Sequence, residues 1–134
     1  MQTLLGFDFG TQRIGIAVGQ SITGTATALC TINSRNGKPD WDRITELIDC
    51  WRPDALVIGL PLHNDGSDSD ISKAVRKFMQ QLEEHYGLPV HTMDERLSSH
   101  TAKQYMKQST DKQEIDAVAA MIILQNWLEA RKHE

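Results

Sequence analysis

The sequence predicts an α/β fold, a mixed five-stranded sheet with helices on both faces, and three observations predict it. Three strand-like runs follow one another at the amino end, helical and strand-like periods then alternate, and the last helical segment is apolar around most of its circumference. Thr3–Phe9 is apolar on both faces, as a central strand covered from both sides requires, and Gly10 breaks it. Arg13–Gly19 sets Ile14, Ile16 and Val18 on one face and the small residues Gly15, Ala17 and Gly19 on the other, so it reads as a second strand. After a loop bounded by Gly24, Thr25–Ile32 reads as a third. Three strands in succession predict an antiparallel meander.

From Asp40 the period changes. Trp41, Ile44, Ile48 and Trp51 follow helical spacing, Asp40 can cap the amino end, and Pro53 prevents continuation. Ala55–Gly59 is a short buried strand, Asn64–Asp70 reads as a loop, and Ile71, Val75, Phe78 and Leu82 form a helical stripe that ends at Gly87 and Pro89. Val90–Met93 is the last strand. Ser98 or Ser99 can cap a helix running through Lys107, and Glu114–Arg131 is the final and most buried helix. The two later strands, each reached through a helix, are expected to run parallel by right-handed crossovers.

With 134 residues and 40% hydrophobic content, residues 1–134 are expected to form one domain. No apolar run reaches the ~18 residues needed to span a bilayer, and Met1–Phe9 reads as a folded strand where a signal peptide would be basic and then apolar. A cytoplasmic location without membrane association is therefore expected. Cys30 and Cys50 lack the paired spacing of a zinc site or a disulfide framework, and read as small apolar side chains. The net charge of −4 means that any binding of nucleic acid must rely on a local basic patch. Candidate cations occur at Lys73, Arg76 and Lys77, at Lys103 and Lys107, and singly at Arg13 and Arg96; the competing reading of each is a solvated surface charge.

Three acidic residues stand out. Asp8 lies inside the apolar run Leu5-Gly6-Phe7-Asp8-Phe9-Gly10-Thr11, where a charge is expensive to bury without a cation or donors; alternatively it caps the following turn. Glu95, in Asp94-Glu95-Arg96, follows the last strand, and the carboxyl ends of strands are where open α/β sheets place ligands. Its alternative is an ordinary polar residue at a strand-to-helix junction. Asp116 shares a helical face with Ala120, Ile123 and Trp127, so it points along the packed side; its alternative is stabilisation of the helix dipole. Three hard oxygen ligands suit Mg²⁺ or Mn²⁺ rather than zinc. Two such ions ~4 Å apart would activate water and stabilise the departing oxygen of a phosphodiester. His100 is a candidate for proton transfer or phosphate contact, against the commoner reading of a surface histidine. If Glu95 lies two strands from Asp8, spacing alone separates them by ~10 Å, and the longer side chain and bridging metal must close the gap.

Four blocks, Asp8-Phe9-Gly10-Thr11-Gln12-Arg13-Ile14-Gly15, Val57-Ile58-Gly59-Leu60-Pro61-Leu62, Asp94-Glu95-Arg96-Leu97-Ser98 and Asp116-Ala117-Val118-Ala119-Ala120, together resemble the YqgF/RuvX family. That family is described as Holliday junction resolvases or pre-16S ribosomal RNA nucleases. The blocks stand in family order along nearly the whole chain. The resemblance implies an RNase H-like fold and metal-dependent nuclease activity, with Asp8, Glu95 and Asp116 as catalytic metal ligands. It also implies that Arg13, Arg96 and Ser98 lie near the substrate backbone; Lys103, from the basic residues noted above, is the further candidate for nucleic-acid contact. One departure is the short stretch Ser109-Thr110-Asp111-Lys112-Gln113-Glu114-Ile115, where members often carry a longer, Gly- and Lys-containing loop.

Two other classes compete. Asp8-Phe9-Gly10-Thr11 also resembles the phosphate loop of an actin-like or sugar-kinase ATPase, but those enzymes clamp nucleotide between two such domains and this length supplies one. A non-catalytic nucleic-acid-binding domain is the other alternative. Between precursor ribosomal RNA and branched DNA the residues do not choose: a symmetric junction favours a two-fold dimer, whereas an RNA end can be trimmed by a monomer. A monomer or weak homodimer is expected.

Overall fold

The computed structural model describes residues 2–10, 12–35, 38–60, 70–94 and 112–131. In chain order these form β1 (Thr3–Phe9), β2 (Arg13–Gln20), β3 (Thr25–Arg35), β4 (Lys38–Pro39), α1 (Trp41–Trp51), β5 (Ala55–Leu60), α2 (Asp70–Tyr86), β6 (Val90–Asp94) and α3 (Lys112–Arg131). The strands make one sheet in the order β4-β3-β2-β1-β5-β6. β1, β2, β3 and β4 pair antiparallel in turn, while β5 runs parallel to β1 and β6 parallel to β5.

The expected mixed sheet is therefore present, with one correction: among the described residues it has six strands, not five. The addition is β4, whose two residues include a proline and pair at the edge with Ser34 and Arg35. Two residues are too few to show a hydrophobic period, and proline is tolerated at an edge because it has no N–H to donate to a ladder. β3 likewise runs past Ile32 to Arg35, since Asn33 and Arg35 are exposed while Ser34 is buried. Asp70, expected at the end of a loop, is instead the first residue of α2, where its negative charge meets the positive end of the helix dipole. The rest of that predicted loop, at 64–69, and the predicted helix from Ser98 or Ser99 to Lys107 lie outside the described residues.

Strand alternation divides the core in two. Leu5, Phe7 and Phe9 of β1, Ile14, Ile16 and Val18 of β2, and Leu56, Ile58 and Leu60 of β5 face α1 and α2, meeting Ile44, Leu47, Val75, Phe78 and Leu82. The aromatic centre is Phe78, with Phe9 at 5.0 Å and Trp41 at 5.6 Å between ring centroids. On the other face Leu4, Ala17, Ala55 and Val57 meet Ala120, Ile123, Leu124, Trp127 and Leu128 of α3. The small residues of β2 thus form the seat of α3. A Cβ on Gly19 would stand 2.9 Å from Leu124 Cδ2, and one on Gly6 of β1 2.9 Å from Leu124 Cβ. No helix among the described residues is long and apolar enough to cross a membrane.

α1 starts as expected, with the Asp40 side chain accepting from the Arg43 amide at 3.2 Å. It ends at Arg52, which is left-handed (φ 47°, ψ 59°) and donates its N–H to the Ile48 carbonyl at 2.8 Å, before Pro53 turns the chain into β5. A left-handed residue bearing a Cβ costs roughly 1 kcal/mol that glycine does not. Arg52→Gly is therefore expected to raise stability by about 0.5–1 kcal/mol, read as an increase in urea midpoint at unchanged slope.

Candidate active site

Asp8 is the penultimate residue of β1, at the carboxyl end of the strand. Alternation puts it on the face of Leu4 and Gly6, toward α3, and opposite the face of Phe7 and Phe9. Its cross-strand partner on β2 is Gly15, which places the two Cα atoms within about 5.5 Å.

Gly15 is where α3 comes down onto the sheet. A Cβ built there would collide with the main-chain carbonyl of Asp116 and stand 2.9 Å from the Ala117 nitrogen. A residue with no side chain is the only kind that allows the helix backbone this close. Asp116 is consequently held over the strand position adjacent to Asp8, and both acids belong to the same face of the sheet at the same level. Arg13, two residues before Gly15 and on the same face of β2, donates from Nε to Asp116 Oδ2 at 2.7 Å. The two side chains keep 33% and 23% of their surface, so solvent and ligands reach the pair.

The last strand ends next to this region. β5 pairs with β6 through Leu60 and Asp94, and β6 lies two places from β1, which corresponds to about 10 Å between strands. Glu95 follows Asp94 directly in sequence; with Arg96, Ser98, His100, Lys103 and Lys107 it lies outside the described residues. Among the described residues no group of three or more His, Cys, Asp and Glu side chains converges on a point that would hold a metal. The described donors are two carboxylates, one of which already holds a cation in the form of the Arg13 guanidinium. Among the described residues both donors are carboxylates, and oxygen donors of this kind fit a hard divalent ion.

Other candidates are placed elsewhere. Lys73, Arg76 and Lys77 are exposed on α2, across the sheet from Asp8. Cys30 is half-buried, and burial pushes its thiol above the usual range despite the opposing effect of Arg43, so it is held as the neutral thiol. The role of Gly15 was not singled out from the sequence. Its signal was nevertheless present, as the small residues alternating with Ile14, Ile16 and Val18.

Comparison with known proteins bears on the same elements. A family model described as RuvX, Holliday junction resolvase, matches residues 2–130. The chain belongs to this family. Its relatives include a protein of Azotobacter vinelandii, 47% identical over 96% of this chain and 94% of its own length, and one of Pseudomonas putida, 47% identical over 97% and 96%. Both carry the name "Putative pre-16S rRNA nuclease". Among solved structures, Thermus thermophilus RuvC in complex with a Holliday junction substrate superposes with a TM-score of 0.59 at 15% identity, covering 98% of this chain and 96% of its own. The fowlpox virus resolvase, in complex with Holliday junction DNA, gives 0.61 at 12% identity over 96% and 98%. The RNase H-like fold implied by the sequence blocks is thus the fold observed. The RuvX match runs from β1 through most of α3 and includes Asp8, Arg13, Gly15 and Asp116.

Proposed function

We propose that this RuvX-family chain is a metal-dependent endonuclease of one domain that acts in the cytoplasm on the 5′ end of pre-16S rRNA. The observation that carries the reading is the seating of Asp116 over Gly15, beside Asp8, at the carboxyl end of the parallel strands. The RNA substrate is supported by relatives of that name at 47% identity over nearly the full chain. Cleavage of a Holliday junction is the second reading, favoured by the family description.

In this reading Asp8, Glu95 and Asp116 hold Mg²⁺ or Mn²⁺, which when bound supply an activated water and neutralise charge on the departing oxygen. The protein's part is positional. Asp8 is fixed by a strand buried on both faces, and Asp116 by a helix that a glycine lets close. Arg13 balances Asp116 and stands ready to contact a phosphate, with Arg96, Ser98 and Lys103 assigned to the substrate backbone. The protein acts as a monomer or weak homodimer.

The test is cleavage of a pre-16S 5′ leader and of a four-way DNA junction, side by side, by chelator-treated protein. Cleavage is expected to fall at least about 100-fold on metal removal and to return with Mg²⁺ or Mn²⁺. Undiminished cleavage in chelator would remove the metal from the mechanism; preferential cleavage of the junction would replace the RNA reading by the second one.

A further inference from the structure

The chain is acidic overall, so a nucleic-acid backbone needs a local run of cations, and the exposed lysines and arginine of α2 lie on the wrong side of the sheet. The α3 side supplies such a run. On β3, Ile32 and Ser34 are buried toward α1 and α2, which turns Asn33 and Arg35 to the face that carries Asp8 and Arg13. Asn33 is the direct cross-strand partner of Arg13, and Arg35 that of Lys38 on β4. Arg13, Asn33, Arg35 and Lys38 therefore form a continuous path from the Asp116 carboxylate to the sheet edge.

At the end of the path is a cleft of about 320 Å³ lined by Asn33, Arg35, Lys38, Pro39 and Asp40. The acid in this lining is already engaged, because Asp40 Oδ1 accepts from the Arg43 amide at 3.2 Å as the cap of α1. Arg43 is in turn engaged by Glu46, at 2.8 Å. Neither Arg35 nor Lys38 forms an ion pair among the described residues. Both are exposed at the rim. Resting on the nuclease reading, we infer that this cleft is a phosphate-binding subsite that holds the substrate backbone a few nucleotides from the scissile bond, with Arg35 and Lys38 as its cations and Asn33 as a neutral donor between them and Arg13.

The test is the salt dependence of binding of fluorescent single-stranded RNA and DNA of one sequence to the full chain, followed by anisotropy. Each cation that contacts a single-strand phosphate contributes about 0.7 to the slope of log K against log salt. The Arg35→Ala/Lys38→Ala variant is expected to lower the slope by about 1.4, which corresponds to about 25-fold weaker binding at 0.1 M salt if affinities converge at 1 M. Arg35→Lys/Lys38→Arg keeps both charges and should keep the slope. Lys73→Ala/Lys77→Ala removes equal charge from the opposite side and should leave the slope unaltered. Loss on RNA alone, on DNA alone or on both supports the subsite and identifies the backbone it takes. An unaltered slope in the first variant, an equal drop in the α2 variant, or a wild type that binds neither strand overturns it. Cleavage measured in parallel separates the two readings: binding through Arg35 and Lys38 without cleavage removes the nuclease and leaves the subsite, and cleavage with an unaltered slope does the reverse.

Discussion

Gly15→Ala is expected to lift α3 from the sheet and to cost more than about 3 kcal/mol, beyond the usual range for one added methyl group in a packed interior. The clash is with main chain, the carbonyl of Asp116 and the nitrogen of Ala117, so no rotamer change relieves it. The same substitution at Gly19 meets the ends of Leu124 and Leu128, which can turn aside, and the Thr25 carbonyl at 3.1 Å, which needs only a small shift, so it should cost clearly less. For a chain of this size the Gly15 variant should melt roughly 10 °C or more below the wild type. Because Asp116 moves with the helix, Mn²⁺ affinity should fall even at temperatures where circular dichroism shows the variant folded. A melting temperature within about 2 °C of wild type would show that α3 does not depend on this contact.

The parts of the fold that were legible are those in which burial imposes a period. β2 reads clearly because Ile14, Ile16 and Val18 must face α1 and α2 while Gly15, Ala17 and Gly19 must admit α3. α1 reads clearly because Asp40 and Pro53 bracket its apolar stripe. β4 was invisible, since an edge strand of two residues buries little and its pairing is main-chain only. The start of α2 was misplaced for a related reason: Asp70 is as common in loops as in a first helical turn, and only the dipole separates the two.

The candidate site was legible as chemistry more than as geometry. Asp8 is conspicuous because a charge interrupts a buried strand, and Asp116 because it shares a face with Ala120, Ile123 and Trp127, all of which are buried against the sheet. The path from Arg13 through Asn33 and Arg35 to Lys38 could not be read from spacing. It is assembled by cross-strand register, and register depends on pairings between segments that are distant in sequence. The same holds for the Arg13–Asp116 ion pair, which joins the second strand to the last helix.

That ion pair shapes the outcome expected for the acids. Asp8→Asn preserves size and removes one of the three proposed anionic ligands, and the loss of several kcal/mol of charge stabilisation expected from that proposal corresponds to about 10²–10⁴-fold in kcat. The fold should survive, with a melting temperature within about 4 °C of wild type, because an amide is cheaper to bury in a central strand than a carboxylate. Asp116→Asn should lose activity on the same scale, but by a different route. It also removes the negative charge from the 2.7 Å contact with Arg13, leaving at most a weaker bond to the amide oxygen, so its affinity for single-stranded RNA should hold or rise while Mn²⁺ affinity drops. Measuring Mn²⁺ binding by calorimetry and RNA binding by anisotropy on both variants tells the routes apart. If Asp8→Asn cleaves as fast as wild type, Asp8 is a turn-capping carboxylate and the metal must be sought elsewhere. If instead both variants lose metal and only Asp116→Asn gains RNA affinity, the Arg13 guanidinium is a group for which Asp116 and a substrate phosphate compete.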